Sequence, residues 1–314
     1  MGKFDISSWK ICVSTLVFLV GFLLLFGSGF ALASGNVEGS TVPPVAVTPT
    51  DLVFTSPHPE EAQSKKVDVY IKTDDETWEI YIKAIPEAGN MPILDALFLR
   101  KIGENKETPM KDENTGEGAI LLLASGQTSF NDWTHMGDFT LTVRPGWTLP
   151  PGEYNFELRF AYYRGRTDTP AESTGASVKV QVTIEPSFQI GLDVTPEAGL
   201  AFEIQGPPGR YLAQNTISLS GIANVPGWGM VLHADDLTGE KGGVIPNSRI
   251  VVPVEIGVRK YEFVSLKDGL LLEGGQAGEL ISHTIDELYI DTLIEDAPDI
   301  YEGRLYVEVV YPGF

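Results

Sequence analysis

Apolar and polar residues alternate with a period of two over much of the chain. Val67-Asp68-Val69-Tyr70-Ile71-Lys72, Ile80-Tyr81-Ile82-Lys83, Phe139-Thr140-Leu141-Thr142-Val143 and Val178-Lys179-Val180-Gln181-Val182-Thr183-Ile184 all follow it. Ile217-Ser218-Leu219-Ser220 and Leu305-Tyr306-Val307-Glu308-Val309 repeat the pattern in the second half. Such alternation buries one face of an extended strand and wets the other. Clusters of Gly, Pro, Asn and Asp separate the runs, as in Pro150-Pro151-Gly152 and Gly206-Pro207-Pro208-Gly209. No stretch beyond the N-terminal apolar run carries a helical pattern of ten residues or more. Many short strands joined by turn residues predict an all-β chain of antiparallel β-sandwiches.

The pattern occurs twice. A shift of 150 places Val67, Val69, Trp78, Ile80, Ile82 and Ala84 on Ile217, Leu219, Trp228, Met230, Leu232 and Ala234. A shift of 147 places Leu141 and Val143 on Leu288 and Ile290. The same shift places Pro151, Tyr154, Leu158 and Phe160 on Pro298, Tyr301, Leu305 and Val307. Two landmarks therefore recur in order, a Trp opening one strand and a Pro-x-x-Tyr leading into another. Tandem duplication of one module is the reading that follows. The expected boundaries are 48–185 for the first module and 186–314 for the second. Trp78 and Trp228 are expected at equivalent core places, and Tyr154 and Tyr301 as corner tyrosines capping a turn. Gly165 to Ser177 reads as a long loop of the first module.

The N-terminus changes the picture of where the chain works. Lys3 and Lys10 flank Asp5, Ile11 to Ala33 carry no charge, and the run closes on Ala31-Leu32-Ala33. Residues 1–33 read as a secretory signal peptide with a cut before Ser34. The apolar run is also long enough to remain as an uncleaved anchor. Both readings export the rest of the chain, so a secreted or cell-surface location is expected. Residues 34–47, rich in Gly, Ser and Pro, read as a flexible arm. As a spacer the arm holds the modules off the membrane. As a donor strand it completes a neighbour's sheet, although Pro43 and Pro44 each remove a ladder donor.

Charge then narrows the partners. The whole chain carries −21, and removing residues 1–33 leaves −22. Such a surface repels nucleic acid and anionic lipid, so neither is expected as a partner, and no membrane contact is expected beyond the leader. The single cysteine, Cys12, lies within the leader. The exported part can therefore form no disulfide and offers no thiol nucleophile or thiolate metal site.

Residues able to do chemistry are sparse and dispersed. His58, His135, His233 and His283 show no metal-binding spacing. No G-x-S-x-G elbow, phosphate loop or dinucleotide-binding glycine motif occurs. Asp112-Glu113-Asn114-Thr115-Gly116 resembles the start of a calcium loop, with Asp112 and Asn114 as candidate ligands, but Ile120 to Ala124 offer no closing carboxylate. A solvated hairpin turn is the competing reading. Asp235-Asp236-Leu237-Thr238-Gly239 is a weaker loop of the same kind. Trp133 and Trp147 are the candidate ligand-binding residues, because exposed aromatics on sandwiches stack on sugar rings. The other reading of Trp147 is a lid folded over the sandwich end. No enzyme activity and no cofactor are expected.

The closing run Pro298-Asp299-Ile300-Tyr301-Glu302-Gly303-Arg304-Leu305-Tyr306-Val307-Glu308-Val309 resembles the last strand of bacterial secreted surface sandwiches, the fimbrial, pilus-like and spore-coat-like modules. Ile300 stands where that pattern has a glycine. The resemblance implies Ig-like or fimbrial-like modules and an exported structural or adhesion protein. The alternative is a protein that binds carbohydrate or cell-wall polymer through exposed aromatics of the first module. Implied partners are other envelope proteins, or further copies of the chain joined through an edge strand or residues 34–47, and glycans.

Overall fold

A computed structural model of the chain describes residues 44–56, 58–165, 176–195, 200–257 and 260–312. The predicted leader, arm residues 34–43 and most of the Gly165–Ser177 loop lie outside the described residues. Ten strands form the first half: β1 Val45–Thr48, β2 Asp51–Ser56, β3 Gln63–Thr73, β4 Trp78–Pro86, β5 Leu97–Arg100, β6 Glu107–Pro109, β7 Leu121–Gly126, β8 Phe130–Val143, β9 Gly152–Arg164 and β10 Ser177–Ile184. They make two five-stranded sheets, ordered β1-β3-β8-β5-β6 and β2-β10-β9-β4-β7. Pairing is antiparallel except where β10 runs parallel to β2. The predicted arm does not extend to residue 47, because Val45 and Val47 are buried in β1, which pairs with β3.

Among the described residues the second half has fourteen strands. In order they are β11 Phe188–Thr195, β12 Leu200–Ile204, β13 Arg210–Leu212, β14 Thr216–Ala223, β15 Gly229–Ala234, β16 Leu237–Gly239, β17 Val244–Ile245, β18 Ile250–Gly257, β19 Lys260–Ser265, β20 Leu270–Glu273, β21 Ile281–Ile285, β22 Tyr289–Asp291, β23 Asp299–Gly303 and β24 Leu305–Val310. The sheets are ordered β11-β14-β21, β13-β22-β18-β19, β12-β23-β16-β17 and β20-β15-β24. These are the first half's sheets with its long strands broken. β13 and β14 together take the place of β3, β21 and β22 that of β8, and β23 and β24 that of β9. Two departures remain. No described strand takes the place of β10, so β12 pairs directly with β23, and β16–β17 is an added hairpin.

The alternating residues meet in two clusters, one drawn from Val45 to Ile184 and the other from Leu200 to Val307. All six residue pairs related by the 150 shift are buried, the two tryptophans included. Tyr154 donates its hydroxyl to the Pro150 carbonyl at 2.7 Å, and Tyr301 to the Ala297 carbonyl at 3.0 Å. Both tyrosines close the same four-residue corner, 147 residues apart. The tryptophans differ in one respect. Trp78 Nε1 donates to the Thr128 carbonyl at 3.0 Å, whereas the buried Trp228 Nε1 has no partner among the described residues.

Described contacts between the halves include the following. Asn224 is fully buried and holds the connecting segment, its Oδ1 accepting from Ser187 N at 2.8 Å and its Nδ2 donating to the Glu185 carbonyl at 2.9 Å. The corner after β8 approaches the turn before β21. There Gly278 has φ +79, and a Cβ on it would lie 2.7 Å from Thr148 Cγ2, so both conformation and space require glycine.

Candidate binding surfaces

β3 and β8 present a polar and aromatic strip on their outer face. Tyr70 pairs with His135, where Gly137 at φ +121 lies at a bulge in β8. A bulge turns the strand and re-aims its side chains. His135 Nε2 lies 3.0 Å from Asp68 Oδ1, and the His135 and Tyr70 rings are 5.0 Å apart. Trp133 stands two residues before His135 on the same strand and leaves 43% of its surface exposed. Both residues are exposed, and the β3–β8 register shifts again between Phe130 and Thr134.

Trp147 is placed differently. Its Nε1 donates to Glu60 Oε1 at 3.3 Å, and its ring meets His58 edge-on at 5.4 Å. Gly146 N is tied to the Pro59 carbonyl. Trp147 thus folds back on the loop between β2 and β3 as a lid. Nearly the whole of β8 separates it from Trp133, about 30 Å at the rise of an extended strand, so the two do not share a site.

The Asp112 loop is a closed hairpin turn. Asp112 Oδ1 accepts from Asn114 N at 2.8 Å, and Gly116, at φ +74, donates its N–H to the Asp112 carbonyl. The Asp112 carboxylate is thereby spent on its own turn. Leu237 to Gly239 of the second acidic segment form β16, not a loop. Asp236 in that segment accepts from Asn247 N. Among the described residues no three His, Cys, Asp or Glu side chains are grouped to hold a metal ion.

Another polar cluster closes the far end of the first sandwich. Tyr162 donates to Asp75 at 2.6 Å and also bonds to Thr73, while Arg164 pairs with Asp75. Burial first, and then the Asp75 carboxylate, push the Tyr162 hydroxyl up to about 12. It therefore stays protonated as a hydrogen-bond donor.

A further exposed aromatic surface lies on the outer face of β13-β22-β18-β19. Tyr261 (63% exposed) and Phe263 stand on β19, Tyr289 on β22 and Leu212 on β13. The Arg210 guanidinium lies 3.7 Å from the Phe263 ring centroid, and Phe263 meets Tyr289 edge-on at 6.1 Å. Asp291 clamps Arg210 with two bonds, 2.7 and 2.9 Å. Hydrogen bonding to Asp291 raises the Arg210 pKa further, so the guanidinium stays charged. Its plane is therefore fixed by an ion pair and laid on an aromatic face. The candidate aromatics of the sequence, Trp133 and Trp147, lie in the first module, and this surface lies in the second. Only the alternation of Tyr261 and Phe263 in the sequence could have suggested it.

No family model and no curated protein matches the chain. Among solved structures it is similar to a chaperone–tip adhesion subunit pre-assembly complex from archaic chaperone-usher Csu pili of Acinetobacter baumannii, with 11% identity, TM-score 0.32, and coverage of 85% of this chain and 100% of that one. It is similar to a tip adhesin from Pseudomonas aeruginosa, with 13% identity, TM-score 0.32, and coverage of 88% and 96%. It is also similar to a class 5 fimbriae chaperone, with 12% identity, TM-score 0.23, and coverage of 86% and 93%.

Proposed function

We propose that this chain is an exported, non-enzymatic surface protein that works by contact, as a structural or adhesive component of the cell envelope organised as two tandem sandwich modules. The observation that carries this reading is the platform of Arg210, Leu212, Tyr261, Phe263 and Tyr289. Its side chains are held by rigid strands, its one cation is neutralised and oriented by Asp291, and its apolar faces point outward. Aromatic side chains with a fixed guanidinium are the groups that dominate protein contacts. A leader that exports the chain agrees with work outside the cytoplasm.

The test is retention on isolated envelopes. The chain from residue 34 onward contains every described strand and is compared with its Tyr261→Ala/Phe263→Ala variant. Retention should fall about tenfold or more in the variant. Equal retention of both proteins would refute a contact role for the platform. A second reading, binding of cell-wall glycan, is favoured by Trp133, which stands exposed beside His135 and Tyr70. Binding to cell-wall polymers that disappears in Trp133→Ala and persists in Trp147→Ala would support it. Trp147, with its indole N–H bonded to Glu60, serves as the control.

A further inference from the structure

The halves of this chain already show how one sandwich sits on the next. The corner after β8 of the first sandwich, at Thr148, packs on the turn before β21 of the second, at Gly278. In each sandwich these two elements lie at opposite ends, because β8, and β21 with β22, run from one to the other. A shift of 147 carries the junction onto the chain's two unused ends. The corner 146–149 becomes 293–296, and residues 278–280 become 131–133, which open strand β8.

Each unused end carries an exposed apolar side chain. Ile294, the counterpart of Trp147, is 89% exposed, and Leu293 beside it is 48% exposed. Trp133 occupies the place of Leu280. The Leu293–Asp296 corner is also held rigid. Arg249 pairs with Asp296 at 2.5 and 3.0 Å, and Leu293 N donates to the same carboxylate at 2.6 Å. Burial pushes the Asp296 carboxyl up, but Arg249 and the Leu293 amide outweigh it and hold it below its usual value. A rigid corner presents its tip without an ordering cost.

We infer that copies of this chain associate head to tail, with the Leu293–Ile294 corner of one copy seated on the Trp133 end of the next. The occupant is a second copy because the chain's internal junction joins the repeat counterparts of these two positions, the corner after β8 and the residues that lead into β21. Such a contact is heterologous, so each added copy exposes a fresh end and the assembly stays open. The junction is not repeated atom for atom. Asn131 stands at the place of Gly278, and Glu295 at that of Thr148. Exposed apolar side chains replace the glycine contact. Glu295 would approach Asp132 and Asn131, so salt should strengthen the association by screening like charges.

The inference rests on the contact role proposed above. It is tested by sedimentation velocity on the chain from residue 34 onward, across concentration at low and high salt. Average mass should rise with concentration, and more steeply at high salt. Ile294→Asp and Trp133→Asp should each weaken association about tenfold or more. Both positions are solvent-exposed, and circular dichroism checks that the variants are folded. An equimolar mixture of the two variants should form one-to-one dimers and nothing larger, because each retains only one working end. Three results would overturn the inference: a wild-type chain that stays monomeric, a variant that assembles like wild type, or a variant that dimerises by itself. A monomer that is still retained on envelopes would remove the assembly and leave the contact role standing.

Discussion

Trp78 and Trp228 permit a comparison in which most of the cost of substitution cancels. Both rings are buried at equivalent places, and Trp→Phe removes the same atoms from each. The loss of apolar contact and the cavity left behind are therefore shared. The hydrogen bonding is not. In Trp78→Phe the bond from Nε1 to the Thr128 carbonyl is lost, a net cost of about 1 kcal/mol. In Trp228→Phe a buried N–H without a partner is removed, which returns about 1–3 kcal/mol of desolvation penalty. Trp78→Phe should thus cost its sandwich about 2–4 kcal/mol more than Trp228→Phe costs the other. Urea unfolding followed by far-UV circular dichroism measures both losses, and hydrogen exchange assigns each transition to its sandwich. Equal losses, or a larger loss in Trp228→Phe, would refute the reasoning.

Tyr154→Phe and Tyr301→Phe should each cost about 1 kcal/mol, and by similar amounts, since each removes one corner bond; urea unfolding of the two variants checks this. Asp296→Asn should cost about 3 kcal/mol by leaving the Arg249 guanidinium buried without its anion. The folded Asp296 carboxyl is held below the ordinary aspartate value, about 3.9. Its contribution is therefore present above that pH and is lost as pH falls through the folded value, so acid titration should destabilise wild type more than Asp296→Asn. Gly278→Ala should cost about 2 kcal/mol, from the left-handed backbone and the approach of Thr148, measured by thermal unfolding.

Burial was legible because period two is a local property. Every residue used to align the two strands at the 150 shift is in the core, and both corner tyrosines make the predicted bond. Breaks in the strands were not legible, because distant polar groups decide them. The counterpart of β3 is interrupted at Ala213-Gln214-Asn215, where Asn215 turns its side chain to the N–H of Ala201 at 3.0 Å. The platform was invisible for a related reason. Arg210, Phe263 and Tyr289 lie far apart in sequence and meet only because the sheet runs β13-β22-β18-β19.

The two equivalent corners show how a repeat can hold its fold and change its surface. In the first, Trp147 is covered because the loop between β2 and β3 supplies His58 and Glu60. In the second, the same shift puts Gln205 and Pro207 at those places. A proline there brings no carboxylate to bond an indole, and the chain carries Ile294 instead of Trp147. The corner is still tied down at its base, where Thr292 and Gly209 exchange hydrogen bonds. Its polar groups are satisfied internally through Arg249 and Asp296, while its apolar tip has no cover within the described residues. Polar groups satisfied inside and apolar groups left outside are the arrangement expected of a surface that a partner covers. The residues that differ between the two corners are thus the ones that leave the tip of the second exposed.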